Sequence, residues 1–366
     1  MLFISDELKH TVLKKYKWSS VFLLLASIQA ICSLALLIPT LIHVRKIYYA
    51  SKTEGAETDE KNLELFDKAF KISGEYVMFL AFEVWRVWLA IDGVVHLNSK
   101  TIWASASSTV LSFIFSVLMI AETVKWKNKN DGYIMFGDLA TINQSLLIVL
   151  SIIVFLITPM TLFAAKKATK DIGWDVYKKI GCSTEIQKMY IKVQWFSLML
   201  KINIYFEFTS YALYFIMLAS FSYNWEQGSP TIPVLGVSLA VLVLILPSLV
   251  MSRYAISRES NLLMTSFIVF QFVFIGSTVY VMYYKKGFLT DWYAFAGYCV
   301  CTLVAAIVTI ILSIVCQLNF NKGLKDFVRW KLFSKTVPRR QSAAYMSQAS
   351  TFYGLEGQRV DMPIDD

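Results

Sequence analysis

The chain has 366 residues, 56% of them hydrophobic and 17% charged, with a formal net charge of +9 and a mean hydropathy of +0.53. Soluble domains carry about a quarter charged residues, so a long chain this apolar cannot hide its side chains in one water-soluble core. The excess basic residues fall in short loops and tails, which points to membrane topology and away from nucleic acid.

About 20 apolar residues are needed to cross the hydrocarbon core as a helix, and lipid cannot satisfy an open strand edge. The sequence therefore predicts an all-α fold, a polytopic transmembrane bundle of about eight helices with short loops. A cytosolic N-tail (1–17) precedes the first segment, Trp18–Val44. That run is too long for a signal peptide's apolar core and follows a basic stretch, so it reads as a signal anchor. The first loop, 48–73, mixes acids and lysines and is predicted to form a short solvated helix. The second segment, Glu75–Leu97, carries Glu83, Arg86 and Asp92, each costly at mid-bilayer, and its full crossing is the least secured. Next come Ile102–Glu122 and Asn143–Ala165. The sequon Asn143-Gln144-Ser145 lies at the mouth of the latter, too close to the bilayer for glycosylation. Phe196–Tyr223, Ile232–Ser252, Leu262–Tyr284 and Trp292–Leu318 complete the predicted membrane domain, 18–318. A juxtamembrane amphipathic segment (319–335) and a disordered cytosolic C-tail (336–366) follow.

Sorting Lys and Arg by loop places 22 of the 35 on the side of both termini and 11 on the other, with Arg86 and Lys201 inside the membrane. The positive-inside rule then predicts cytosolic termini. The discrimination is modest near the N-terminus, because the first loop holds six of those 11 bases.

The polar residues inside the apolar segments are the candidate site. Glu83 and Arg86, spaced i, i+3, share a helix face and can pair. Asp92 lies almost two turns on. Lys201, Asn203 and Glu207 follow one another on the fifth segment, and Gln271 lies within the seventh. Lys201 is near enough to the cytosolic end to snorkel. Two readings compete for the set, a path or pocket for an ion, proton or small ligand, and structural pairing that fixes helix contacts.

Two cytosolic stretches read as interfacial. After the last segment, Phe320, Leu324, Phe327 and Val328 recur at helical spacing among Lys322, Lys325 and Arg329, with Trp330 beyond. The fourth loop offers Trp174, Lys178 and Lys179, an aromatic ring at headgroup level with lysines toward phosphate. Arg339-Arg340-Gln341-Ser342 has the form of a basophilic kinase site, which makes Ser342 a candidate for phosphorylation.

Five cysteines show no CxxC pair and the three histidines are scattered, so neither a disulfide framework nor a zinc site is expected. Cys182, in a loop, is a weak palmitoylation candidate. No hydrolase, kinase or nucleotide-binding signature occurs. The expectation is a protein that is not an enzyme and uses no cofactor or metal. Its expected partners are membrane lipid and a small-molecule or ion ligand, with protein partners left open and no nucleic acid.

Several short motifs, in order, carry a family resemblance. They are Gly173-Trp174 through Ile180-Gly181, Gln187-Lys188-Met189-Tyr190, and Leu200-Lys201-Ile202-Asn203-Ile204-Tyr205-Phe206. Arg258-Glu259 with Asn261, Cys316 with Asn319-Phe320 and Lys322-Gly323-Leu324, and Asp92 followed by Asn98 extend the set. Together they resemble an uncharacterised fungal UPF-type family of Golgi apparatus membrane proteins. Asn203 and Glu207 depart from the family pattern, which has Asp at the first position and an unbroken aromatic run at the second. The resemblance implies a multi-pass protein of the Golgi, with the endoplasmic reticulum or another endomembrane as the alternative, and it implies no reaction. Two functions are compatible with these features. One is transport or trafficking of a small solute or ion. The other is a receptor-like or scaffold role acting through the fourth loop and C-tail.

Overall fold

Each predicted apolar segment lies on a long helix in the computed structural model. In chain order these are α1 (Lys17–Thr53), α2 (Glu60–Val95), α3 (Ser99–Lys129), α4 (Ile134–Ile180), α5 (Thr184–Phe221), α6 (Thr231–Arg258), α7 (Asn261–Tyr284) and α8 (Tyr293–Gln317). The structure describes residues 17–53, 60–129, 134–180, 184–221, 231–284 and 292–320. All belong to one compact unit, residues 1–327, and the second unit, 328–366, lies outside the described residues. No strand occurs among the described residues.

The helices close into two four-membered rings. In the first, α1 packs on α2 and α4, and α3 packs on the same two. In the second, α5 packs on α6 and α8, and α7 packs on the same two. The α2–α3 wall meets the α5–α8 wall, and this seam joins the rings. Aromatic rings fill it. Phe115 of α3 stacks on Tyr298 of α8 with centroids 4.1 Å apart, and Trp85 of α2 stacks on Tyr205 of α5 at 5.0 Å. Gly297 lets α8 approach closely, since a Cβ there would stand 3.0 Å from Leu118 and 3.5 Å from Phe115.

Six helices, α1, α3, α4, α6, α7 and α8, are long and apolar enough to cross a membrane. The bundle is accordingly a polytopic helical membrane protein in contact with lipid. Its outer surface carries large apolar side chains, among them Ile152, Phe155, Val243, Val250, Val273 and Ile311, while Glu83, Arg86, Asp92, Lys201 and Glu207 are buried. The pattern inverts that of a soluble domain. Helices α2 and α5 carry most of the buried charges of the bundle. Over 75–95 the exposed residues of α2 are Val77, Ala81, Val84 and Ile91, all apolar. Over 195–216 the exposed residues of α5 are Trp195, Phe208 and Ile216.

Helix continuity departs from the sequence reading in two places. Helix α4 runs unbroken through 166–180, a stretch expected as loop, so the fourth connection shrinks to 181–183. Gly173 within it costs only about 1 kcal/mol of helix propensity, too little to break a helix of this length. The first loop is not a separate short helix, because α1 continues to Thr53 and α2 begins at Glu60. The α2–α3 turn is tight. Leu97 adopts a left-handed φ of 51°, Asn98 N–H donates to Gly93 O at 2.8 Å, and Asn98 Oδ1 then caps α3 by accepting Lys100 N–H at 3.1 Å. Gly93 is required there, since a Cβ would lie 2.9 Å from the backbone nitrogen of Ile102.

Candidate functional site

The first ring is locked by an ion pair at its centre. Glu83 and Arg86, one turn apart on α2, pair at 2.7 Å with both side chains fully buried. The pair is tied to both neighbouring helices. From α1, Gln29 Nε2 donates to Glu83 Oε1 at 3.3 Å, and Arg86 Nη2 donates to Ala26 O at 3.0 Å. From α3, Ser112 Oγ donates to the same carboxylate oxygen at 2.6 Å, and Ser105 Oγ donates to Arg86 O at 3.0 Å. Unpaired, either charge would be strongly unfavourable in this environment. Paired and held on three helices, the two are neutral together and specify how α1, α2 and α3 fit.

Asp92 and Lys201 form a second pair, which bridges the rings from α2 to α5. Lys201 does not snorkel to the surface as its sequence position suggested, because Asp92 holds it in the seam. Its backbone carbonyl accepts Trp85 Nε1–H at 3.2 Å. His96 Nδ1 stands 3.3 Å from the other oxygen of Asp92, with its side chain half exposed at the end of the bundle. This pair too has its charges matched.

The second ring is different. A column of polar side chains runs along its axis, where α5 and α7 meet across the ring. Asn203, Glu207 and Tyr211 lie at i, i+4, i+8 and so share one face of α5. Asn203 Nδ2 donates to Thr309 of α8 at 3.0 Å. Ser210 bonds Thr302 of α8 at 3.0 Å, and Tyr211 bonds Ser277 of α7. Between these contacts sits Glu207. Its carboxylate is fully buried, and neither oxygen has a hydrogen-bond partner. Gln271 of α7, also fully buried, is the hydrogen-bonding side chain that acts on it, although neither the amide oxygen nor the amide nitrogen closes a hydrogen bond. Among the described residues, no cationic side chain acts on Glu207. Buried polar groups are normally satisfied, and a carboxylate is the most expensive group to leave unmatched.

A further acidic contact escaped the sequence reading. Glu75 of α2 and Glu122 of α3 meet at the end of the bundle where α8 begins, and Glu122 accepts Ala294 N–H at 3.4 Å. Both acids terminate predicted segments on the same side, and that coincidence was the signal available. Gln29, Ser112 and Thr309 were missed because amides and hydroxyls are common in membrane helices. Asn143 is buried in α4. Among the described residues, Cys32, Cys299, Cys301 and Cys316 are free, and no three His, Cys, Asp or Glu side chains converge on a metal position. Trp174, Lys178 and Lys179 fall on the last turns of α4, where side chains are outside the described residues. Lys322, Lys325, Arg329, Trp330, Ser342 and Cys182 also lie outside them.

No family model matches the chain, and no solved structure matches it. A curated fission yeast protein does, over 209 residues that make up 54% of this chain and 55% of the relative, so the match spans about half the length of each. At 26% identity over that region, the chain is similar to the UPF0658 Golgi apparatus membrane protein of Schizosaccharomyces pombe, in line with the resemblance its motifs carry.

Proposed function

We propose that the chain is a Golgi membrane protein of eight crossings that moves a small solute or ion across the bilayer along the axis of its second ring. The observation that carries this reading is Glu207, a mid-membrane carboxylate that meets no counter-charge among the described residues and has only the neutral amide of Gln271 beside it, without a closed hydrogen bond to either oxygen. Intramembrane charges that serve structure find partners, as Glu83 and Asp92 do. A charge without one marks a binding position or relay. The eight-crossing topology is supported by the apolar outward faces of α2 and α5, whose charges are sheltered by their neighbours. The Golgi location rests on the yeast relative's name and on the motif resemblance. Cytosolic termini rest on the loop charge.

The test is complementation of a deletion strain with Glu207→Gln, reading organelle lumenal pH and ion content alongside protein abundance and location. The reading expects normal abundance and location with loss of the deletion phenotype's rescue. Full rescue by Glu207→Gln at equal abundance would remove the transport assignment and leave a role outside the membrane axis.

A further inference from the structure

We infer that Glu207 and Gln271 form a binding site for a dehydrated monovalent cation, which exchanges with a proton on the Glu207 carboxyl. The inference deepens the transport reading and rests on it. Glu207 and Gln271 act on each other from two helices, and none of their four polar atoms, Glu207 Oε1 and Oε2 with Gln271 Oε1 and Nε2, closes a hydrogen bond. Three are oxygens, the donor type that replaces the water of a hard cation. Asn203 Oδ1, also buried and unpartnered, stands one turn along α5, about 6 Å on at 1.5 Å per residue, as the next oxygen on the axis.

Charge decides the class of ion. The site holds one negative charge, so one monovalent cation or one proton neutralises it, whereas a divalent ion would leave a buried positive charge. Ionisable groups on the helices packed against α5 are committed elsewhere. Glu83 is paired with Arg86 and Asp92 with Lys201, Arg253 of α6 lies in the field of Asp92, and Glu122 meets Glu75. The buried tyrosines and cysteines of the seam and ring, among them Tyr205, Tyr211, Tyr214, Tyr298 and Cys299, are weak acids and supply no cation. A carboxylate in this setting is stable only when occupied. Cation and proton therefore compete for the same oxygens, which is the chemistry an exchanger uses.

The experiment uses the full chain, purified in detergent and treated with dicyclohexylcarbodiimide, which modifies protonated buried carboxyls. Mass spectrometry reads modification of the peptide containing Glu207 in choline, Na⁺, K⁺ or Mg²⁺ chloride at equal ionic strength. Glu207 should react in choline and be protected saturably by Na⁺ or K⁺. Gln271→Leu, which keeps the carboxyl and removes an oxygen ligand, should react equally in choline yet need about tenfold more cation for protection. Both it and Glu207→Gln are checked for monodisperse elution. Failure of Glu207 to react in choline, equal reaction in all four salts, or stronger protection by Mg²⁺ would each overturn the site. Saturable protection without ion flux in proteoliposomes would keep the site and sink the transport reading. Flux abolished by Glu207→Gln without cation protection would do the reverse.

Discussion

Three acidic residues in this chain look alike in sequence and differ in what surrounds them. Glu83 and Asp92 each have a basic partner, whereas Glu207 has a neutral amide beside it. The difference predicts opposite responses to the same isosteric change. Glu83→Gln strands the fully buried Arg86 and should cost about 3–5 kcal/mol of stability, the usual penalty for breaking a buried pair. Arg86→Gln should cost a similar amount. The double variant should recover part of the loss, a coupling that a double-mutant cycle on thermal unfolding in detergent would measure. Glu207→Gln breaks no bond and removes a charge, so it should leave the melting temperature unchanged or raise it. A melting temperature lowered as far as that of Glu83→Gln would mean that Glu207 is a structural residue whose partner has been missed. The residue types at these positions were legible in the sequence, and so was the i, i+3 match of Glu83 with Arg86. What separates Glu207 from the others was not legible. Lys201 and Asp92 are 109 positions apart, and only the packing of α2 on α5 brings them together.

At the scale of the elements, the seam is where close packing is most exposed to test. Phe82, Trp85, Phe115, Tyr205, Phe206 and Tyr298 interlock there, and α8 comes close to α3 because residue 297 has no side chain. Gly297→Val should push Leu118 and the Phe115–Tyr298 stack apart and cost about 1–3 kcal/mol, the usual range for overpacking. Gly276→Val on α7, where a Cβ meets nothing within 4 Å, serves as the matched control and should cost little. Equal thermal shifts for the two would argue against the α3–α8 approach. Hydrophobicity alone placed a helix on each of the eight apolar segments. It understated their length, because α4 continues to Ile180 with a mixed sequence that carries no membrane signal. Within the run Leu200–Phe206, noticed as a motif, Lys201, Tyr205 and Phe206 face the seam. Its aromatic character thus has a packing reason, and its Lys201 a pairing reason.

For the whole molecule, two four-helix rings share a wall, and their axes have different characters. The first is closed by a neutral ion pair bonded to three helices. The second holds a column of hydroxyl and amide groups around one unmatched carboxylate. Eight crossings predict that residues 54–59, between α1 and α2, and residues 181–183, between α4 and α5, face opposite sides of the membrane. Single cysteines placed in each, Gly55→Cys and the native Cys182, should react with an impermeant maleimide from opposite faces of sealed vesicles. Labelling of both from one face would mean that α2 does not cross. The ring closure was not legible from sequence, since it depends on α1 meeting α4 and α5 meeting α8, contacts across whole helix pairs. The division of labour between the rings follows from that closure.

The most direct test of the central claim is ion-driven proton flux in proteoliposomes holding the full chain, with a pH-sensitive dye inside and an imposed Na⁺ or K⁺ gradient. Wild-type protein should move protons against the cation, Glu207→Gln should abolish that movement while inserting normally, and the Glu83→Gln/Arg86→Gln pair should retain it wherever it folds. Proton movement by Glu207→Gln equal to that of the wild type would contradict the account.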